Sequence, residues 1–278
     1  MPDATITSIF RRLPSSYEEN PSLSEWILAD QSNPLNQISR IIDQGEVLDI
    51  GCGSGILGRL LANKPNVYVD GIDPAVSTTT TGVQAYRQFF SHGVEKLFDG
   101  HGIERYDWFV MADVIEHFAY PDEVLAALVA RAKPGACFLL STPNVAHLSV
   151  RLNLLCGRFD YVESGILEST HLRFFTLPTL QKVLRSSGLS IERVLLLNRI
   201  PSANELIDFG WFRALLAFVV AGRDKELYTY QFLAVARVGS GTETPSIEQI
   251  GSRSSGGCYV EILKLLVSRF KRRIRGLI

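Results

Sequence analysis

The chain has 278 residues, 46% of them hydrophobic, and a formal net charge of −1. That length and apolar content suit one large α/β domain with additions, and the near-neutral charge gives no global reason to expect a nucleic-acid partner. Four scattered cysteines (Cys52, Cys137, Cys156 and Cys258) form no C-x-x-C pair, which favours reduced thiols and a cytoplasmic setting over disulfides or a cysteine-built zinc site.

In chain order, residues 1–22 are rich in Ser, Pro and Asn and read as a lead-in. Residues 23–43 carry helical periodicity through Leu23, Trp26, Ile27, Leu35, Ile38, Ile41 and Ile42, with Pro34 dividing the segment. No h-region of a signal peptide is evident in Met1–Pro14, and no apolar run reaches the roughly 18 residues of a membrane span. Strands are expected near 46–50, 67–72, 94–98, 107–112 and 136–141, and helices over 54–63, 76–90 and 121–132. The Lys133-Pro134-Gly135 turn precedes the fifth strand. Residues 143–170 interrupt the alternation. A helix over 176–187 ends at Gly188, a strand follows near 189–198, a helical segment covers 203–222, and a last strand lies at 228–237. Apolar strands alternating with helices imply a mostly parallel sheet covered on both faces. The expected organisation is a lead-in and helix (1–45), the main domain (46–237) with an insertion at 143–170, a flexible Gly/Ser-rich linker (238–257) and a basic amphipathic helix (258–278).

The most informative stretch is Val47-Leu48-Asp49-Ile50-Gly51-Cys52-Gly53-Ser54-Gly55, an apolar strand running into a glycine-rich turn and then a helical pattern. Glycines let the backbone approach a ligand closely, and amides at the following helix start can hold polar groups. Gly53-x-Gly55-x-x-Gly58, with Asp73 twenty positions after Gly53, also fits a dinucleotide fingerprint. There the glycine triplet normally follows the strand directly, whereas an extra Asp-Ile-Gly precedes it here. The stretch resembles motif I of the class I S-adenosylmethionine (SAM)-dependent methyltransferases. The Asp49 carboxylate would repel a pyrophosphate but suits the cationic amino group and sulfonium of SAM. The resemblance covers about residues 40–237 and implies a Rossmann-like, doubly wound seven-stranded sheet, mostly parallel with one antiparallel strand. It also implies a SAM site formed by Asp49, Gly51, Cys52, Gly53, Gly55 and Asp73, with Asp73 accepting the ribose hydroxyls. Asp99 is expected near the adenine, after the third strand, and Asp113 beside the cofactor.

Asp113-Val114-Ile115-Glu116-His117 follows the fourth strand, at the sheet edge where ligands bind in open α/β folds. The run is similar to the D/E-x-x-E-H of ubiquinone-biosynthesis-type O-methyltransferases. Ser141-Thr142-Pro143-Asn144 and His171-Leu172-Arg173-Phe174-Phe175-Thr176 resemble a bacterial subgroup associated with glycan and natural-product biosynthesis. Three readings stay open for this run: His117, assisted by Glu116, as a general base; Asp113, Glu116, His117 and His171 as ligands of Mg²⁺ or another divalent cation; or a loop brace. The four-ligand set is similar to the metal site of small-RNA 2′-O-methyltransferases, with Asp113 where those carry the longer Glu. Arg151, Arg158 and Arg173 are candidates for an anionic substrate group or plain surface charges.

The implied activity is methyl transfer, favoured at oxygen, to a small-molecule or lipid/glycan-linked acceptor. A SAM-binding module without turnover and a nicotinamide-dependent oxidoreductase are the alternatives. Phe209–Ala221 is nearly all apolar, and suits a packed helix, an apolar lid over a lipid-like acceptor or a membrane-facing patch. Over 258–278, six basic residues against one acid give +5, leaving −6 for the remainder of a chain whose total is −1. Ile262, Leu266, Phe270, Ile274 and Leu277 form its apolar stripe, so 259–278 suits peripheral contact with the inner membrane surface, docking on a partner or a loosely held tail.

Overall fold

A computed structural model describes residues 21–77, 81–99, 102–199, 226–239 and 244–250. Eight strands form one sheet: β1 (Gly45–Ile50), β2 (Val67–Ile72), β3 (Gln88–Phe90), β4 (Trp108–Ala112), β5 (Cys137–Pro143), β6 (Leu189–Asn198), β7 (Thr229–Val238) and β8 (Ser246–Ile250), in the order β3-β2-β1-β4-β5-β7-β6-β8. All neighbouring pairs are parallel except those of β7, which runs against both β5 and β6. This is the Rossmann-like α/β arrangement with one antiparallel strand, plus one strand beyond the expected seven.

The central strands are apolar on both faces because both faces are covered. Val47, Val69, Val110 and Leu139 point into one core layer with Ile38, Ile42, Leu57 and Leu61, from α2 (Pro34–Ile41), its C-cap and α3 (Ile56–Leu61). Their chain neighbours Leu48, Phe109, Phe138 and Leu140 point the other way. There they meet Leu125 and Leu128 of α4 (Pro121–Val129) and Leu180 and Leu184 of α6 (Leu177–Ser186). Each fully buried side chain of this kind contributes about 1.5–3 kcal/mol. Phe109 and Phe138, adjacent on β4 and β5, stack at 4.6 Å between ring centroids. Before the sheet, α1 (Pro21–Ala29) precedes α2, and the break expected at Pro34 is made by an Asn33 cap. The Asn33 side chain accepts from Leu35 N at 2.9 Å, and Pro34 occupies the first turn, where no amide is needed. The insertion after β5 carries α5 (Leu148–Leu155).

Three expectations change. The third strand is Gln88–Phe90, and residues 94–99 form a 3₁₀ turn. Val94 and Leu97, three apart, are both buried in the α4/α6 core layer, so the apolar pair belongs to a helical turn. Among the described residues, the stretch expected as a helix over 76–90 holds a 3₁₀ turn at Thr81–Ala85 and then β3; Gly82 within the turn is a poor helix former. Within the expected linker, β8 adds to β6 in parallel, as a short, exposed edge strand. The helical segment 203–222, the apolar run 209–221 and the amphipathic segment 258–278 lie outside the described residues. Among the described residues no helix is long and apolar enough to cross a membrane.

Candidate active site

The carboxyl ends of β1, β2, β4 and β5 share one edge of the sheet, and the residues singled out from the sequence cluster there. Asp49 closes β1 beside Gly71 of β2 and Val110 of β4. The chain then turns through Gly51, Gly53 and Gly55, all with positive φ. Two of these positions need glycine for space as well. A Cβ on Gly51 would stand 2.6 Å from Val114 Cγ2, and one on Gly55 would stand 2.3 Å from the carbonyl oxygen of Gly82. The amides of Gly51 and Cys52 both donate to Ile72 O, at 2.8 and 3.2 Å, which pins the turn to the end of β2. Helix α3 starts only at Ile56, later than the sequence pattern suggests, because Gly55 is its left-handed N-cap.

Asp73 is fully buried at the end of β2. Its carboxylate accepts from Gly53 N at 2.9 Å and from Ala75 N at 2.8 Å. The acid thus bridges the glycine turn and the loop after β2. A carboxylate only accepts hydrogen bonds, the chemistry that hydroxyl groups of a ribose would meet. The chemistry of this edge fits SAM: a glycine turn without side-chain bulk and two carboxylates, at 49 and 73. Asp99 does not follow the third strand directly. It closes the 94–99 turn, and Ser91, His92 and Gly93 occupy the positions just after β3. The His92 and Phe90 rings lie 5.6 Å apart between centroids, tilted by 41°.

Tyr86 had no place in the sequence reading of this site, yet its hydroxyl donates to Asp49 Oδ2 at 2.6 Å and accepts from Gly58 N at 3.4 Å. Burial, then the Asp49 charge, push its phenol well above the ordinary tyrosine range, so it stays a donor. Its ring fills the space between α3 and β2. Cβ atoms on Gly58 and Gly71 would approach it to 2.9 and 3.0 Å. The third glycine of the Gly53-x-Gly55-x-x-Gly58 pattern therefore answers to a tyrosine ring.

On the reaction side, Asp113 sits in the left-handed region at φ +56°. Its amide bonds to Ser141 O and Oγ, and its carboxylate accepts from Ser141 Oγ at 2.7 Å and Gln231 Nε2 at 2.8 Å. Ile115–His117 forms a single 3₁₀ turn. The Glu116 carbonyl accepts from the amides of Leu172 and Arg173 at 2.8 and 3.0 Å, which holds the far end of the insertion against this turn. His171 is thereby brought to His117, with ring centroids 4.9 Å apart and nearly perpendicular planes.

One ligand atom each from Glu116, His117 and His171 can be chosen so that all three lie within 4.8 Å of one another. Three of the four expected metal ligands therefore converge. Asp113 does not join that group, because its left-handed backbone carries the carboxylate to Ser141 and Gln231. Both imidazoles have Nδ1 at a backbone carbonyl: His117 at Thr170 O (3.2 Å) and His171 at Ile166 O (3.0 Å). Donation from Nδ1 leaves Nε2 as the basic nitrogen of each ring. Glu168 lies 3.9 Å from His171 Nε2.

The Ser141–Asn144 stretch is structural in part. Asn144 donates to Glu226 O and Thr229 O at 3.1 and 2.9 Å and caps Ala146 N. Of the three arginines, Arg173 donates to Ala119 O and lies over the Tyr120 ring, and Arg151 donates to Ala146 O.

A family model described as a methyltransferase domain matches residues 28–194, more than half the chain. Among curated relatives, the ubiquinone biosynthesis O-methyltransferase of Rickettsia felis is 26% identical over 210 residues, covering 70% of this chain and 82% of that one. The human mitochondrial ubiquinone biosynthesis O-methyltransferase is 28% identical over 165 residues, covering 54% of this chain and 42% of its own length. A SAM-dependent methyltransferase structure from Archaeoglobus fulgidus shares the fold at 17% identity and a TM-score of 0.52, over 77% of this chain and 94% of that one. With the glycine turn, Asp73 and the sheet order in place, the chain belongs to the methyltransferase-domain family, as a class I SAM-dependent methyltransferase.

Proposed function

We propose that the protein transfers the methyl group of SAM to an oxygen of a small-molecule or lipid/glycan-linked acceptor. The observation that carries the oxygen assignment is the convergence of Glu116, His117 and His171 next to the donor turn. Methyl transfer from a sulfonium requires mainly in-line alignment of nucleophile, methyl and sulfur. A hydroxyl nucleophile also has a proton to lose, and amines and thiols need less help. A buried glutamate with two imidazoles whose Nε2 atoms are basic is suited to that proton. The relatives named as O-methyltransferases of ubiquinone biosynthesis point the same way.

In this reading Asp49, Gly51, Cys52, Gly53, Gly55 and Asp73 hold the donor. Asp73 accepts the ribose hydroxyls and Asp49 faces the amino group. Asp113, tied to Ser141 and Gln231, shapes the floor between donor and acceptor, and His117, with Glu116 beside it, takes the acceptor proton through Nε2.

A second reading is favoured by the same convergence. Glu116, His117 and His171 present one oxygen and two nitrogens at ligand spacing, and their Nδ1–carbonyl bonds are of the kind that orient metal-ligating histidines. A divalent cation bound there would supply Lewis acidity that lowers the pKa of the acceptor hydroxyl.

Calorimetric titration with SAM, followed by turnover of labelled SAM on a panel of phenolic, lipid and glycan hydroxyls, tests the proposal. His117→Ala is expected to lower kcat/KM on the accepted hydroxyl by about 100-fold, the usual scale of a lost general base, with SAM affinity unchanged. Activity removed by EDTA and restored by Mg²⁺ selects the metal reading, and EDTA-resistant activity selects the base. SAM binding without turnover would reduce the protein to a binding module. Binding of NADH in place of SAM would refute the family's chemistry for this chain.

A further inference from the structure

In this chain the connection between β2 and β3 is short. Only 15 residues separate Ile72 from Gln88, and the described part contains a single 3₁₀ turn at Thr81–Ala85. Tyr86, next to last in this connection, reaches back beneath the donor turn. Its ring is wedged between α3 and β2, where Gly58 and Gly71 leave it room. Neither glycine has a positive φ, so backbone conformation does not require them. The hydroxyl at the tip of that ring donates to Asp49 Oδ2 at 2.6 Å. Tyr86 and Asp49 are both buried, so little water competes for that hydrogen bond.

We propose that Tyr86 is a positioning residue for the methyl donor: by donating to Asp49 Oδ2 it fixes the carboxylate orientation that receives the amino group of SAM. The inference rests on the assignment of Asp49 to that amino group. A carboxylate at a strand end can rotate about its last side-chain bond. Holding one oxygen in place sets the plane of the carboxylate before SAM arrives. The short β2–β3 connection brings the tyrosine close enough, and the two glycines make the space. Nothing in the glycine motif itself would reveal the residue, because it lies 37 positions downstream of Asp49.

The test compares ligands that share adenosine and sulfur but differ in the amino-acid end: SAM and S-adenosylhomocysteine carry the amino group and 5′-methylthioadenosine lacks it. S-adenosylhomocysteine has the same uncharged thioether sulfur as 5′-methylthioadenosine, so it must weaken as SAM does. With full-length protein, Tyr86→Phe keeps the ring between Gly58 and Gly71 but removes the donor. It is expected to weaken SAM by roughly 10- to 100-fold, the scale of a hydrogen bond to a charged group, and to leave 5′-methylthioadenosine within about twofold. Asp49→Asn, which keeps the tyrosine and its packing, is expected to show the same selectivity, and adding Tyr86→Phe to Asp49→Asn is expected to weaken SAM little further. Equal weakening of SAM and 5′-methylthioadenosine by Tyr86→Phe, or no weakening of either, overturns the proposal. So does full additivity in the double variant. Should Tyr86→Phe not fold, Asp49→Asn still can overturn the proposal: equal weakening of SAM and 5′-methylthioadenosine means that Asp49 does not receive the amino group and Tyr86 has nothing to position. Failure of the wild-type protein to bind SAM at all is a separate outcome, which removes the donor assignment on which the inference rests.

Discussion

Gly55→Ala isolates the steric demand of the donor turn. Gly55 has φ +79°, where an alanine pays about 1–2 kcal/mol for the left-handed backbone. Its new Cβ would also lie 2.3 Å from the Gly82 carbonyl oxygen, a backbone atom that cannot rotate away. Separating the two needs a shift of about an ångström, and forced overpacking of that kind costs about 1–3 kcal/mol. The total is about 3 kcal/mol, or roughly 6–12 °C in Tm for a chain of this size. Gly135→Ala is the matched control. Its φ is +80°, nearly the same, but a Cβ there meets nothing within 4 Å. The control keeps only the conformational part, about 1 kcal/mol. Urea unfolding at 25 °C, with equal m-values for the three proteins, measures both differences. If the two variants lose the same stability, the clash with Gly82 is not real and the packing of the 81–85 turn on the glycine loop must be revised.

Two further predictions follow from buried titratable groups. Burial pushes the Asp70 carboxyl up, but the Arg87 and Tyr106 hydrogen bonds and the Arg87 and Arg105 charges outweigh it and hold the group below its ordinary 3.8. Because its folded pKa is depressed, Asp70 contributes stability above about pH 4 that is lost as pH falls through the lower folded value. Asp70→Asn is accordingly expected to cost about 2 kcal/mol at pH 7, less than a fully buried pair since both arginines are more than a third exposed. The gap between wild type and variant should narrow as pH is lowered from about 4, and a gap that stays constant over that descent would refute the electrostatic account. Burial also pushes the Cys137 thiol up to about 12, so iodoacetamide at pH 8 should alkylate the half-exposed Cys156 of the native protein well before Cys137; mass mapping that finds Cys137 labelled first would contradict the burial.

How much of this could be read from sequence depended on whether the deciding contacts were local. Strands β1, β2, β4 and β5 were legible because burial on both faces writes them as nearly unbroken apolar runs. β3 has only three residues, and the nearby Val94–Leu97 pair imitates a strand while serving as the inner face of a 3₁₀ turn. β8 was hidden because an edge strand with exposed side chains has no apolar signature to distinguish it from its Ser- and Thr-rich surroundings. In the site, the twenty-residue step from Gly53 to Asp73 survives intact as a hydrogen bond of 2.9 Å. Asp113 went the other way: a positive φ, rare for aspartate, and a glutamine 118 positions downstream took its carboxylate out of the expected ligand set. Neither has a local sequence signal. The approach of His171 to His117 likewise depends on a backbone carbonyl, that of Glu116, which no side-chain pattern encodes.

The donor turn and the reaction turn share a wall, and this constrains how each can vary. Gly51 has no side chain because Val114 occupies its Cβ position, and Val114 directly precedes the 3₁₀ turn that carries Glu116 and His117. Any residue larger than glycine at 51 would push on the turn that holds the Glu-His pair, so the donor motif and the acceptor chemistry are mechanically joined at one contact. The same reaction turn is fastened from its other side by Leu172 and Arg173, next to His171. Its position is therefore set jointly by the first strand end and by the end of the 143–170 insertion.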